Sequence, residues 1–547
     1  MYINRVIIKN FKSFKDTFVL ELNKGLNILV GNNEAGKSTI LEALHLTLSG
    51  LSNGRYLVHE LSEYLFNREA VCEYITSLAT SRPLPPPEIS IEVFIAGNDL
   101  PFFEGDDNST KKSECGLALK ISLAEKYRME YNEYVAGGDI SAVPIEFYEV
   151  NWTTCAREPI TPRKIPIKSA LIDSSSNRYK NGSDVYISHI IKNHLDERQR
   201  NDLSHAHRKL QAKFILDDSV AKVNKVISEI SKKKDADKEV KLTIDLSSKD
   251  AWESSFMTCV DEIPFHHIGK GEQAVIKTKL ALEHRKAKEA NIILLEEPEN
   301  HLSHSKLNAL ISEIHEKCEN KQILISTHSS FVANKLGLDN LILIDNKIPI
   351  RLQHLEKGTQ EFFEKIPGYD TLRLVLCKKA ILVEGDSDEL IVQRAYMDAN
   401  NGKLPIQDQI DVISVGTSFL RFLQIAQMIG KNVCVVTDND GDVLALEKKY
   451  KDFLVANAKQ NIKICYDPII DTGSLEIGGD KFNYNTLEPK FLKVNGLKKL
   501  NDVFGLQKTE DELHKYMKSN KTDCALKIFD TNETLAFPKY ILDAITP

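Results

Sequence analysis

No apolar run in the sequence approaches the roughly 20 residues that a bilayer-spanning helix needs. A helical membrane anchor is therefore not expected. The opening segment, Met1-Tyr2-Ile3-Asn4-Arg5-Val6-Ile7-Ile8, lacks the apolar centre and small-residue cleavage site of a secretion signal. It reads as a strand, and a cytoplasmic location is expected. Positive charge is not in excess: 71 Lys and Arg stand against 78 Asp and Glu, a formal net charge of −7. That balance excludes a generally basic nucleic-acid coat and leaves room for a local basic groove. Paired cysteines are missing too. The nine cysteines show no CxxC spacing and are odd in number, which excludes a closed disulfide framework. No internal repeat is visible.

At 547 residues the chain is long enough for two to four domains of roughly 100–200 residues each. With 42% apolar and 27% charged residues, wholesale disorder is not expected. The first stretch alternates β and α signals. Leu26-Asn27-Ile28-Leu29-Val30 reads as a buried strand. A helix from Lys37 to Leu48 follows, with Ile40, Leu41, Leu44 and Leu48 on one face and Gly50 as its stop. Ile89–Ile95 alternates as a half-buried strand. From about Lys164 to Glu239 the β signal fades. Ile187, Ile191, Leu195, Leu203, Ala206 and Leu210 recur at helical spacing, and Asp217-Asp218-Ser219 is placed to cap a second helix carrying Val220, Val223, Val226, Ile227 and Ile230. Two readings fit such a hairpin: a helical piece of the surrounding domain, or a protruding self-association arm. β character returns at Val240–Ile244. A link is expected around Gly358–Gly368 and a second α/β unit after it, with strands at Ala380–Val383 and Val433–Val436.

Gly31-Asn32-Asn33-Glu34-Ala35-Gly36-Lys37-Ser38 matches GxxxxGK[ST] in full, between a strand and a helix as that motif requires. Its glycines let backbone N–H groups surround phosphate oxygens at a helix N-terminus. Gly31, Asn32, Asn33, Gly36, Lys37, Ser38 and Thr39 are the expected ATP-binding residues. Lys37 would reach the β/γ-phosphates and Ser38 would ligate Mg²⁺. A second apolar strand, Asn291–Leu295, leads into Glu296-Glu297-Pro298-Glu299. Glu296 would hold Mg²⁺ and Glu297 would orient or deprotonate water. A third strand, Gln322–Ser326, ends at Thr327-His328-Ser329, where His328 is placed to meet a γ-phosphate.

The second half carries another acidic pattern. Ala380–Val383 runs into Glu384-Gly385-Asp386-Ser387-Asp388-Glu389, and Val433–Thr437 into Asp438-Asn439-Asp440-Gly441-Asp442. Strand ends of an open α/β sheet are where ligands bind. Carboxylates at this density repel one another unless cations neutralise them, and oxygen-only ligands suit Mg²⁺ or Mn²⁺. The second segment lacks the spacing of an EF-hand loop. Asp386, Asp442 and Glu476 are reserve candidates.

The opening Ile8-Lys9-Asn10-Phe11-Lys12-Ser13-Phe14, the P-loop, the acidic strand end and the Ser-Thr-His turn resemble, in this order, ABC-type ATPases of the RecF and SMC kind. That resemblance implies a signature loop acting in trans at Gly269-Lys270-Gly271-Glu272-Gln273, with Gly271 and Glu272 at the partner's ATP. Gly269 stands where the family usually has Ser, and Glu296 replaces the usual Asp, so ATP binding rather than fast turnover is the expectation. The pair of acidic strand ends resembles a Toprim domain, whose members cut or join phosphodiesters with bound metal. Together the two resemble the OLD (overcoming lysogenization defect) family, and within it the nuclease subunits of Gabija-type antiphage systems. Asn485-Thr486-Leu487-Glu488 and Asn520-Lys521-Thr522-Asp523 look like two further motifs of that family.

The resemblance implies an N-terminal ABC-type (RecF/SMC-like) ATPase domain, 1–163 and 240–370. A helical insertion, 164–239, is read as a dimerisation arm, and a C-terminal Toprim α/β domain spans 371–547. Glu384, Asp388, Asp438, Asp440 and Glu488 would hold two divalent metals, and Lys521 would neutralise the scissile phosphate. Glu384 has a second reading, as general acid/base. No tyrosine stands in a motif that marks a strand-passage nucleophile, which favours hydrolysis. The expected activity is a nucleotide-regulated DNA endonuclease in antiphage defence. A RecF/SMC-like repair ATPase and a sensor scaffold without its own cleavage activity are the alternatives. Implied partners are DNA, a homodimer or higher even oligomer, and a UvrD-like helicase subunit or a retron reverse transcriptase with its RNA/DNA. Lys490, Lys493, Lys498 and Lys499 fit either a phosphate-binding surface or a solvated lysine-rich face.

Overall fold

The computed structural model describes residues 1–52, 55–97, 100–138, 140–173, 179–180, 183–184, 195–232, 258–283, 289–317, 321–352, 355–365, 371–454 and 461–546. The chain divides into two compact units, Met1–Thr327 and His328–Pro547. The expected strand Val240–Ile244 lies outside the described residues, as do Ile187 and Ile191 of the expected helical stripe.

The first unit contains β1 (Tyr2–Lys9), β2 (Phe18–Glu21), β3 (Leu26–Gly31), α1 (Lys37–Ser49), β4 (Ile89–Ala96), β5 (Glu114–Leu123), β6 (Tyr148–Thr154) and β7 (Ser169–Asp173). After these come α2 (Glu197–Ile215), α3 (Asp218–Lys232), α4 (Lys270–Glu283), β8 (Ile292–Glu296) and β9 (Gln322–Ser326). An antiparallel sheet runs β2-β1-β4-β5, with β6 on β5. A parallel sheet runs β7-β8-β9-β3. Parallel strands are covered on both faces, and β3, β8 and β9 are accordingly buried almost without interruption.

The helix expected at 37–48 is α1. Ile40, Leu41, Leu44 and Leu48 are all buried, and Gly50 ends the helix in the left-handed conformation. The strand at 89–95 departs from the half-buried expectation. Glu92 and Phe94 on its second face are buried too. Glu92 accepts from the Ser109 backbone N–H at 3.0 Å, and the Arg5 guanidinium lies 4.1 Å from the Phe94 ring centre. Ser169–Asp173 falls in the stretch read as helical, yet it forms β7 at the edge of the parallel sheet. The two expected helices are present as α2 and α3. Asp196 closes a capping box with Gln199 on α2, and Asp217 accepts from the Ser219 N–H at the start of α3.

The second unit contains β10 (Lys379–Val383), α5 (Asp386–Ala399), β11 (Ile410–Ser414), α6 (Phe419–Met428), β12 (Asn432–Val436), α7 (Val443–Lys449) and β13 (Ile462–Cys465). Further on are α8 (Leu487–Asn495), α9 (Lys521–Asp530) and α10 (Lys539–Ile545). These strands form a four-stranded sheet, parallel throughout, in the order β11-β10-β12-β13. Its core joins Ile381, Val383, Val412 and Val436 to Phe491, Leu500, Ala525 and Ile541 from the helices. The expected link at 358–368 is partly a helix, Lys357–Lys365, because Phe363 is buried and meets Phe422 of α6 edge-on at 5.2 Å. No helix among the described residues is long and apolar enough to cross a membrane.

Candidate metal centre and nucleotide site

In the first unit, parallel pairing brings three strand ends to one edge. Glu296 stands opposite Ser326 across β8 and β9, and the Thr327 N–H donates to the Leu29 carbonyl of β3 at 3.0 Å. The P-loop leaves from the same edge. Gly36 has φ +101°, and a Cβ there would sit 2.6 Å from the Phe14 ring. This position needs glycine for both reasons. Lys37 is buried, and its ammonium donates to the carbonyls of Gly31 at 2.9 Å and Asn32 at 3.1 Å. Burial lowers its pKa, and the negative charges of Glu297 and Glu299 oppose that shift. The acidic strand end and the P-loop lysine therefore share one field.

Glu297 has φ +41° and accepts from Asn300 Nδ2 at 2.7 Å. Glu299, given no role from sequence, accepts from Thr327 Oγ1 at 2.6 Å. Asn32, Asn33 and Ser38 are exposed, and Thr39 accepts from Ser13 Oγ at 3.1 Å. Gly271 opens helix α4 against the acidic turn: a Cβ there would stand 2.2 Å from the His301 carbonyl oxygen. Glu272 is exposed. His328 is exposed and opens the second compact unit.

In the second unit, β10 and β12 are adjacent and parallel, so Glu384 and Asp438 leave the same sheet edge. Asp388, on the first turn of α5, accepts from the Gly385 N–H at 2.9 Å. Asp438 accepts from the Leu487 N–H at 3.2 Å, which ties β12 to the start of α8. Asp440 has φ +49° and accepts from Asn483 Nδ2 at 3.0 Å. Glu488 is buried. It accepts from Thr486 Oγ1 at 3.1 Å and pairs with Lys521 Nζ at 3.0 Å.

Electrostatics binds these groups together. Burial pushes Asp388 up to about 6. The charges of Glu488 and Glu384 push the same way, against the Gly385 N–H and Lys521. Burial raises Asp438 well above the carboxylate range, with Asp388, Glu488 and Asp440 adding to it. Burial alone would lower Lys521, but Glu488, Asp388 and Asp438 together raise it. Five carboxylates and one ammonium thus converge from four segments of the second unit. Among the described residues no three His, Cys or acidic side chains already close into a metal cage. The donor set is nonetheless all oxygen, crowded and short of positive charge, which fits a hard divalent cation.

The reserve candidates stand apart. Asp442 accepts from the Ala445 N–H as the cap of α7, and Asp386 and Glu476 are exposed. Lys490 belongs to neither the phosphate-binding nor the solvated reading. It is 3% exposed and pairs with Asp467 and Asp471, each at 2.8 Å. Lys493 pairs with Asp471 at 2.6 Å. Replacing Lys490 with Ala leaves two carboxylates without their shared cation. It should lower stability by about 3 kcal/mol, read as a lower thermal midpoint. An unchanged midpoint would show that the pairing adds nothing.

Asn483 and Tyr540 belong to this neighbourhood without a motif of their own. Asn483 sits two residues before a recognised motif. Tyr540, on α10, is buried in the field of Asp438 and Asp388 with no local signal.

An AAA ATPase domain model matches residues 1–114. The AAA domain model named for AbiEii toxins of type IV toxin–antitoxin systems matches 157–334. The TOPRIM domain model of overcoming lysogenization defect-like proteins matches 375–440. The DNA replication and repair protein RecF of Acetivibrio thermocellus is 45% identical over 53 residues, covering 10% of this chain and 14% of that protein. A structural maintenance of chromosomes protein 3 homolog of Plasmodium falciparum is 26% identical over 127 residues, 22% of this chain and 11% of that protein. The chain thus spans only a small part of the length of these relatives. Among solved structures, the SMC head domain from Thermotoga maritima aligns at 12% identity and a TM-score of 0.30, over 65% of this chain and all of that one. A RecF structure aligns at 12% identity and a TM-score of 0.31, over 64% of this chain and 98% of that one. The expected fold class holds: an N-terminal ATPase domain with helical segments and a C-terminal Toprim α/β domain, which brings nucleotide and divalent-metal use in general. AAA-type ATPase segments followed by an OLD-like Toprim domain give this chain an order of domains matching that of an OLD-family ATPase–Toprim protein.

Proposed function

We propose that the chain is a nucleotide-regulated, divalent-metal-dependent DNA endonuclease and the effector of an antiphage defence system. The observation that carries this reading is the shared field of Asp388, Asp438, Glu488 and Lys521 at the end of the β10–β12 pair. Asp388, Asp438 and Glu488, with Glu384 and Asp440 at the margin, would hold Mg²⁺ or Mn²⁺. When bound, such a cation supplies Lewis-acid charge at the attacked phosphate. Lys521 sits beside the cluster with half its side chain exposed, so its ammonium can turn from Glu488 to a phosphate oxygen. Glu384 is exposed and free of strong burial, as suits a group that meets water or substrate. Lys37 and Ser38 would hold ATP and its Mg²⁺, with Glu296 and Glu297 at the γ-phosphate. Gly271 and Glu272 would complete that site, the signature loop acting from a second copy.

The working assembly in this reading is a homodimer or higher even oligomer built through residues 164–239, acting on DNA in the cytoplasm. The exposed Leu210, Phe214, Val223 and Val226 of α2 and α3 support an associating surface. A UvrD-like helicase or a retron reverse transcriptase with its RNA/DNA is the candidate partner.

The raised carboxylates set a pH signature. A carboxyl group whose folded pKa is raised is neutral at low pH. It costs stability as pH climbs from its unfolded value, near 4, through its folded value, about 6 for Asp388. Above that range the repulsion is complete, and a divalent cation relieves it. Saturating Mg²⁺ should therefore raise the melting temperature of the second unit by on the order of 5 °C at pH 7.5 and by much less at pH 5. Differential scanning calorimetry checks this. Equal gains at both pH values would place the cation elsewhere.

A further inference from the structure

The segment after β13 does something the metal centre alone does not require. It reads Tyr466-Asp467-Pro468-Ile469-Ile470-Asp471 and puts two consecutive isoleucines in solvent, Ile469 at 59% and Ile470 at 48% exposure. Single exposed aliphatics are ordinary. Two adjacent β-branched ones outside any strand are less so, because such residues favour the packed surface of a sheet. This tip is also held rigidly. Asn439 Nδ2 donates to the carbonyls of Asp467 at 2.6 Å and Ile469 at 3.1 Å. Lys490 Nζ donates to the same Ile469 carbonyl at 2.7 Å. The Ile469 N–H donates to Asp467 Oδ1 at 2.9 Å. Asn485 closes the far side: its Oδ1 accepts from the Asp471 N–H at 2.7 Å and its Nδ2 donates to the Asp471 carbonyl at 2.9 Å. Asn439, Lys490 and Asn485 are all buried.

Two features tie this segment to the metal centre and suit it to nucleic acid. Asn439 lies between Asp438 and Asp440, so the residue that fixes the apolar tip also belongs to the acidic turn of the metal centre. The charges of the loop are cancelled locally as well, Asp467 by Lys490 and Asp471 by Lys490 and Lys493. The tip therefore brings no free anion toward a phosphate backbone.

We propose that Ile469 and Ile470 form an apolar wedge that packs against a base step of the nucleic acid held at the metal centre. This rests on the nuclease reading and adds to it how duplex is distinguished from already opened substrate. Aliphatic side chains inserted at a base step unstack it and bend the strand, and that opening would present one phosphodiester to the carboxylates.

The test uses the full chain and an Ile469→Ala/Ile470→Ala variant, whose positions are exposed and carry no core packing. A duplex oligonucleotide with 2-aminopurine stepped along it reports unstacking, with Ca²⁺ replacing Mg²⁺. The unaltered chain should brighten the probe at one step, and the variant should lose that signal. With Mg²⁺, the variant should cut perfect duplex about tenfold or more slowly, yet cut a duplex with an unpaired base at that step within about threefold of the unaltered chain. Equal cutting of both substrates by the variant, or an unchanged 2-aminopurine signal, overturns the wedge. A change confined to the assembly state overturns it too, and makes the tip a protein contact. An unaltered chain that brightens the probe but cuts neither substrate supports the wedge and removes the nuclease reading.

Discussion

Replacing Asp438 with Ala is expected to slow phosphodiester cutting by about a thousandfold or more while ATP affinity stays unchanged. Asp438 is a carboxyl of the cluster whose pKa is raised well above the ordinary carboxylate range. Burial raises its pKa first, and Asp388, Glu488 and Asp440 raise it further. A group so disfavoured as an anion gains most from a bound cation. Its removal would take a proposed ligand from the donor set. The backbone N–H of Leu487 would lose its acceptor, so some loosening of α8 is expected as well. An Asp438→Asn variant separates the two effects, because the amide oxygen still accepts that hydrogen bond but carries no charge. Asn should match Ala in cutting and match the unaltered chain in melting temperature. Undiminished cutting by either variant would move the metal centre elsewhere.

Replacing Lys37 with Ala is expected to weaken ATP binding by about a hundredfold, with the metal centre of the second unit intact. Its ammonium stands between the Gly31 and Asn32 carbonyls, in the field of Glu297 and Glu299. In that place it is a buried cation waiting for an anion, and the phosphates would draw it from the loop carbonyls. Equilibrium binding of a fluorescent ATP analogue measures the loss. Retained affinity would contradict the phosphate-binding role of Gly31–Ser38. If nucleotide restrains cutting, the same variant should cut equally fast with and without ATP.

Local motifs were the legible part of this protein. Gly31–Ser38, Glu384–Asp388 and Asp438–Asp440 each combine a short apolar strand with the residues at its end, and parallel pairing then places those ends side by side. The register of β10 on β12 follows from that rule. What stayed hidden depends on distant partners. Ser169–Asp173 carries no long apolar run, and becomes a strand because β8 lies beside it. Lys490 sits in a lysine-rich stretch that looks solvated. Its burial comes from Asp467 and Asp471 and from the Ile469 carbonyl 21 residues away. Glu92 looked like the polar side of a half-buried strand, but the Ser109 loop folds over it. Tyr540 enters the acidic field only because the last helix packs back on the sheet. In each case the deciding contact joins segments that no local pattern connects.

The most direct measurement is to incubate the purified full chain with supercoiled and linear DNA, in Mg²⁺ or Mn²⁺ and in EDTA. Nicked or cut product is expected with either metal and none in EDTA. Intact DNA in every metal condition, with and without ATP, would contradict that expectation, and so would equal cutting in EDTA.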